Sequence, residues 1–484
     1  MKKRRRKKLI AVLTAMVILL TSLSAYLGIR VLTLTKQLQK AEKTIQEAAA
    51  SPAGDGEPVL LMTEEEMQEK ENADPAPEAS APEDGKIAEQ TEGSGIKKEE
   101  AAQETAAQKK DAEEPAAEEA GTEEALRKEA DSRARAILES MTTEQKVGQL
   151  FFVTPEALTG AGQVTRAGDA TREAVRKYAV GGLVYFSHNL IDPEQTKAML
   201  SGTKNIYAEL GLPEPFLAAD EEGGTVVRLA DNSAFDAENV GDMIEIGNSG
   251  GPARAEEAGH TIGAYMAEAG FNMDFAPVAD VLTNPSNTVV AKRAFGSDPQ
   301  LVKACVTAES DALLSEGVLA VWKHFPGHGS TEADTHKGYA YTDKTLEELL
   351  AEDLVPYEDA GEHAPCIMAA HISLPAVDDS GLPSSLSERI ITGLLREQLG
   401  YDGVVITDAL EMGAVANTFS SSEAAVKAVR AGCDMLLMPY SFSSAYEGVL
   451  AAVKSGEIPE ERIDESVLRI LRCKIRMQEK KQDD

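Results

Sequence analysis

The sequence predicts an α/β chain whose larger part is a TIM-like (β/α)8 barrel. Three observations carry that expectation. Eight short apolar or β-branched runs alternate with helix-like stretches beyond residue 132, chemistry-bearing side chains directly follow those runs, and no GxGxxG motif opens a helix after any of them. The runs are residues 147–153, 182–186, 216–219, 272–278, 318–322, 366–370, 403–406 and 434–438. Between them lie stretches with helical patterning, such as 301–316, 387–399 and 421–431. Continuous apolar strands separated by helices need a parallel sheet covered on both faces, and eight such units suit a closed barrel better than an open sheet.

The polar residues occupy one end of the runs. Asp220 and Glu221 follow the third, Asp280 follows the fourth, Lys323 and His324 end the fifth, His371 ends the sixth and Asp408 ends the seventh. In a parallel barrel those ends share one rim, where active sites are assembled from the βα loops.

The chain ahead of the barrel is of two kinds. Seven of the first eight residues are basic, and residues 9–29 then carry no charge before Arg30. About 21 helical residues at 1.5 Å each reach roughly 30 Å, the thickness of a bilayer core. Residues 1–34 are therefore expected to form a cytoplasmic basic end and a transmembrane signal-anchor, with all that follows outside the membrane. Ser22, Ser24 and Ala25 leave cleavage and secretion open. The absence of a nearby Cys argues against a lipoprotein anchor. Residues 35–128 read as a disordered Glu/Ala/Pro-rich linker. No Phe, Trp or Tyr occurs from Lys36 to Leu126, and residues 41–130 hold 26 acidic against 9 basic side chains, too little apolar surface to offset the entropy of ordering. Residues 129–484 form the expected barrel domain.

The net charge of −33 argues against nucleic acid as a partner, because phosphate neutralisation needs a basic face. That charge divides into +10 for residues 1–40, −17 for residues 41–130 and −26 for the rest, so the barrel itself is acidic. The four cysteines, Cys305, Cys366, Cys433 and Cys473, form no CxxC and suggest neither a zinc site nor a disulfide framework. They read as small buried apolar residues.

The densest polar constellation runs from Lys323 to His336, where three of the seven histidines fall. Histidines with Asp334 near a strand end could ligate a metal. Metal-dependent barrels usually open with HxH after the first strand, where this chain has Thr154-Pro155-Glu156. The other reading is acid/base work, with Asp334 fixing the tautomer of His336 in Asp334-Thr335-His336. With no GxSxG elbow directly after any of the eight apolar runs, the available nucleophile is a carboxylate, and Asp408 sits at the end of an apolar strand. A carboxylate nucleophile facing a proton donor is the arrangement of retaining glycoside hydrolysis. A histidine donor does not repel an anionic acceptor, so phosphorolysis stays open beside hydrolysis.

Four ordered motifs now carry a resemblance. Residues 220–228 (DEEGGTVVR), 293–299 (RAFGSDP), 323–329 (KHFPGHG, with Asp334-Thr335-His336 downstream) and 403–412 (GVVITDALEM) resemble glycoside hydrolase family 3, and within it the β-N-acetylglucosaminidase branch. The likeness covers nearly all of residues 130–478. It implies a covalent glycosyl-enzyme on Asp408, His336 as acid then base with Asp334 as its partner, and sugar binding by Asp220, Arg228, Arg293, Lys323 and His324. No cofactor or metal is expected. His328 reads as loop structure, His371 as either a satisfied strand-end histidine or a pocket wall, and Trp322 as packing.

Family β-glucosidases typically take their acid/base from a second domain, whereas 46 residues follow Met438 here, so the donor is expected from the barrel. The expected substrates are GlcNAc-containing glycans or muropeptides outside a bacterial membrane. The competing readings are β-glucosidase or phosphorolytic activity, substrate-assisted chemistry by Asp220 and Glu221, and a wall-glycan-binding module without turnover. The sequence points to no protein partner.

Overall fold

A computed structural model describes residues 128–331 and 340–483. The predicted anchor (1–34) and nearly all of the linker (35–128) lie outside the described residues, as do Asp334 and His336. Among the described residues no helix is long and apolar enough to cross a membrane.

Among the described residues ten strands occur in chain order: β1 Phe151–Val153, β2 Gly182–Val184, β3 Phe216–Ala219, β4 Met273–Asp274, β5 Leu319–Phe325, β6 Ala340–Tyr341, β7 Cys366–Ala369, β8 Ile372–Ser373, β9 Val404–Thr407 and β10 Leu436–Leu437. Eight of them make one parallel sheet in the order β10-β1-β2-β3-β4-β5-β7-β9. The remaining interval, between β9 and β10, carries a parallel bridge from Ile406 to Met435. There Thr407 N donates to Met435 O at 3.0 Å and Met435 N to Val405 O at 3.0 Å, so the sheet curls into a nearly closed barrel. Each of the eight apolar runs contributes one barrel strand. The pair β6 and β8 forms a separate two-stranded parallel ladder beside the rim.

Side-chain alternation explains the layering. Phe152, Val184, Phe216, Met273, Val321 and Met368 belong to the cluster that fills the barrel, together with Val404, Ile406 and Leu437. Their neighbours Phe151, Leu183, Leu217, Ala320, Ile367 and Val405 face the helical layer. The last helix, Glu460–Asp483, closes the far end by adding Ile470, Cys473 and Met477 to the inner cluster. All four cysteines are free and buried.

Some boundaries differ from the sequence expectation. Residues 147–149 end a helix, Thr143–Gln149, because Thr142 and Gln145 form a capping box that starts a helical turn. β4 stops at Asp274, and the following Ala276 and Pro277 carbonyls instead accept from Val321 N at 2.8 Å and Lys323 N at 3.1 Å. The helix expected over residues 387–399 is a π-helix, Arg389–Gln398, as the Leu399 N to Leu394 O bond of 3.0 Å illustrates.

Candidate active site

The rim expectation holds in the structure. Asp220 directly follows β3, Lys323 and His324 are among the last three residues of β5, and Asp408 directly follows β9. The loops after β3 and β4 supply Arg228 and Arg293.

These residues join in one polar ladder across β3, β4 and β5. Arg228 NH2 donates to Asp220 Oδ2 at 3.1 Å, and Lys323 Nζ donates to Asp220 Oδ1 at 2.9 Å and to Glu222 Oε1 at 2.5 Å. Arg293 grips Glu222 with two bonds, from Nε at 2.6 Å and NH2 at 2.7 Å. Its NH2 also lies 3.3 Å from His324 Nε2. A guanidinium only donates, so Nε2 accepts and the ring proton sits on Nδ1, which gives it to Asp280 Oδ2 at 2.7 Å. Asp280, fully buried, also accepts from His328 N at 2.6 Å.

The electrostatics follow from this packing. Burial would raise the Glu222 carboxyl, but Arg293 and Lys323 outweigh it and hold the group well below the usual carboxylate range. Burial would likewise lower the Lys323 ammonium, yet Glu222 and Asp220 keep it above its ordinary value. For Asp408, burial is opposed by His371, His324, the Ala409 N–H at 2.7 Å and Lys323, and the net effect is a lowered pKa. A carboxylate held toward its ionised form at the end of β9 thus shares one rim with the cationic side chains of the ladder. That arrangement can hold a polyhydroxylated ring through its hydroxyls while presenting a nucleophile to it.

Other sequence-singled residues fall into supporting positions. Trp322 is buried in the outer core cluster and tilts against Tyr357 at 6.4 Å, as packing rather than as a platform. His328 is buried, with Nδ1 2.8 Å from Thr331 Oγ1, consistent with a loop-building role. His371 donates from Nε2 to Ala409 O at 2.9 Å, and its Nδ1 lies 2.6 Å from Ser385 Oγ, which fixes the ring behind the Asp408 backbone. The substrate-assisted pair fails on geometry. Glu221 is fully buried, and its carboxylate accepts from Arg228 N at 2.6 Å, Leu229 N at 2.9 Å, Ala230 N at 2.9 Å and Tyr265 OH at 3.0 Å, so it is a staple for the loop after β3.

Glu222 was missed by sequence reasoning, although a signal existed. It stands two residues after Asp220 in an extended exit from β3, so both carboxylates lean to the same side. Gly329 of the KHFPGHG motif has a steric reason, since a Cβ there would lie 1.9 Å from Val281 O.

Asp334 and His336 belong to residues 332–339, outside the described residues, but the flanks are well held. Asn284 Nδ2 donates to Thr331 O at 3.0 Å on one side. On the other, β6 pairs with β8, and Lys344 Nζ donates to Thr283 Oγ1 at 3.1 Å and to Glu352 Oε2 at 2.7 Å, with Asp353 as a further partner.

Comparison with known proteins agrees with this architecture. The profile of the glycosyl hydrolase family 3 N-terminal domain matches residues 142–473. β-Hexosaminidase A of Pseudoalteromonas piscicida is 30% identical over 380 residues, 72% of this chain and 63% of that protein, so the chain spans less than two thirds of that relative. A β-hexosaminidase of Mycobacterium tuberculosis is 34% identical over 331 residues, covering 64% of this chain and 79% of its own length. Among solved structures, a family 3 β-N-acetylglucosaminidase from Paenibacillus is 38% identical with a TM-score of 0.66, over 71% of this chain and 64% of that one. Barrel, rim ladder and these matches together establish that the chain belongs to glycoside hydrolase family 3.

Proposed function

We propose that the barrel is a retaining exo-β-N-acetylglucosaminidase that releases terminal GlcNAc from peptidoglycan-derived or related glycans. The observation that carries this reading is that Asp408, at the end of β9 with its carboxyl held below the usual range, shares the rim with the Arg228–Asp220–Lys323–Glu222–Arg293 ladder on the loops of β3 to β5. The ladder fixes the ring hydroxyls, Asp408 attacks the anomeric carbon to form a glycosyl-enzyme, and water releases the sugar in a second displacement. The motif likeness assigns proton transfer to His336 with Asp334 as its orienting partner, and the relatives named as β-hexosaminidases support the substrate class.

On the same reading, residues 1–34 anchor the protein in a bacterial membrane and residues 35–128 tether the barrel outside it, where wall fragments would be met. The charge pattern of the first 30 residues supports this.

The test compares rates on aryl β-N-acetylglucosaminide and aryl β-glucoside, each with and without phosphate. Preference for the N-acetyl sugar and indifference to phosphate is expected; a preference for the glucoside, or a phosphate-dependent sugar phosphate product, overturns the assignment. Asp408→Asn should lower turnover about 10³-fold or more. Full activity in that variant would exclude the covalent carboxylate.

A further inference from the structure

Arg228 is held less completely than Arg293, the other guanidinium of the ladder. Its backbone is fixed, since Arg228 N donates to Glu221 Oε2 at 2.6 Å, and Asn232 Nδ2 ties the same loop to Leu190 O at 2.8 Å. Its side chain has fewer restraints. NH2 donates to Asp220 Oδ2 at 3.1 Å and NH1 to the adjacent Val227 O at 3.2 Å, while among the described residues the buried Nε meets no acceptor. Arg293 places Nε and NH2 together on the Glu222 carboxylate, a two-point grip that sets its plane. A single carboxylate bond leaves the plane of Arg228 free to turn.

The missing restraint comes from the loop after β2. The Arg228 Cζ lies over the Phe186 ring, 5.5 Å from its centroid. That is inside the roughly 6 Å at which the face of an aromatic ring attracts a cation. A guanidinium is planar and weakly hydrated, so it settles on such a face more readily than an ammonium does.

Phe186 is itself firmly built in. Tyr185 N donates to Ala218 O at 2.9 Å, so the chain stays extended beside β3 beyond the end of β2. Alternation then puts Val184 in the inner cluster, Tyr185 in the outer one and the Phe186 ring against the inner cluster. Asn189 takes both backbone groups of Phe186: Phe186 N donates to Asn189 Oδ1 at 2.9 Å, and Asn189 N donates to Phe186 O at 2.8 Å. Asn189 is fully buried, and its Nδ2 donates to Glu156 Oε1 at 2.7 Å and to Val164 O at 2.9 Å. The ring is therefore a fixed surface on which the guanidinium rests.

We propose that Phe186 is a positioning residue for the sugar site: its ring sets the plane of the Arg228 guanidinium, and so aims the N–H left over on each terminal nitrogen at a ring hydroxyl. This rests on the glycosidase reading above, in which Arg228 binds the sugar. It adds to the β3–β5 ladder a residue delivered by β2, which acts through Arg228 and not on the sugar.

The experiment measures kcat and KM on an aryl β-N-acetylglucosaminide for wild type, Phe186→Leu, Phe186→Met and Phe186→Tyr, each checked for cooperative unfolding. Phe186→Leu is then repeated in an Arg228→Met background. The two aliphatic variants should raise KM about 5- to 20-fold with kcat changed less, and tyrosine should stay within about 2-fold of wild type. With Arg228 already replaced, removing the ring should cost less than about 2-fold more, a coupling that general loosening of the loop would not produce. A wild-type KM in either folded aliphatic variant, a tyrosine variant as impaired as leucine, or an undiminished loss in the Arg228→Met background overturns the proposal. Failure of the wild type to turn over the aryl glycoside refutes the glycosidase reading itself, whereas an active wild type with unaffected aliphatic variants refutes only the role of Phe186.

Discussion

Glu222→Ala removes the one carboxylate that Arg293 and Lys323 share. Its side chain is 1% exposed and receives bonds of 2.6 and 2.7 Å from Arg293 and 2.5 Å from Lys323. Charge-assisted bonds contribute about 1.5–3 kcal/mol each, but a simple sum overstates the loss. Lys323 keeps Asp220 at 2.9 Å, while among the described residues Arg293 keeps only Val289 O at 3.4 Å and His324 Nε2 at 3.3 Å. The deciding quantity is thus a buried guanidinium left without its counter-ion, which costs about 3–5 kcal/mol. The folded pKa of Glu222 lies below its ordinary 4.5, so its stabilisation is fully present above 4.5 and is lost as pH falls toward the folded value. Urea unfolding of wild type and variant should therefore show a gap of about 3–5 kcal/mol at pH 7 that narrows as pH drops below about 4.5. A second variant, Glu222→Leu with Arg293→Met, should regain most of the stability and none of the activity, since apolar replacement relieves the unpaired charge but supplies no hydroxyl donor. A gap under about 1 kcal/mol at pH 7, or one unchanged down to pH 3, refutes the claim that this carboxylate neutralises the ladder.

Two further outcomes are expected. Gly329→Ala should destabilise the barrel by more than about 3 kcal/mol in thermal or urea unfolding, because its Cβ would lie 1.9 Å from the rigid Val281 carbonyl. Lys474, buried on the last helix with bonds of 2.9 Å to Gln149 Oε1 and to Gly181 O, has its pKa pulled down by burial to about 7. The unfolded chain therefore holds this proton more tightly, and wild-type stability should rise from pH 7 toward pH 10. Lys474→Met should flatten that slope in melting experiments, and an unchanged slope would assign it to other groups.

The barrel was legible because its physics is periodic. A strand covered on both faces has to be apolar throughout, so Phe216–Ala219 and Cys366–Ala369 stand out as runs, and their alternate residues divide between the inner and outer clusters. What escaped was set by single local interactions. The capping box at Thr142 turned residues 147–149 from strand to helix. The i+3 and i+4 spacing of apolar residues in Arg389–Gln398 announces a helix without specifying its hydrogen-bond step, so the π winding was not visible. The β6 and β8 ladder is two residues long on each side, too short for any pattern to register.

The site shows the same division at finer grain, in three consecutive acids. Asp220, Glu221 and Glu222 are alike in sequence, yet the first is 20% exposed and bridges Arg228 and Lys323, the second is a buried staple for four donors of its own neighbourhood, and the third neutralises Arg293 and Lys323 from beneath. The alternation of an extended chain predicts that the first and third lean one way and the second the other. It does not predict which side holds cations, because Arg293 and Lys323 arrive from β4 and β5 segments about 70 and 100 residues away, and only barrel closure brings them to β3. Each acid's role is thus decided by what the neighbouring strands deliver to its side of β3. Asp408 obeys the same logic from β9: its carboxyl is held below the usual range mainly by residues of other strands, His371, His324 and Lys323, so an ionised carboxylate at this position is a property of the closed rim rather than of the residue that bears it.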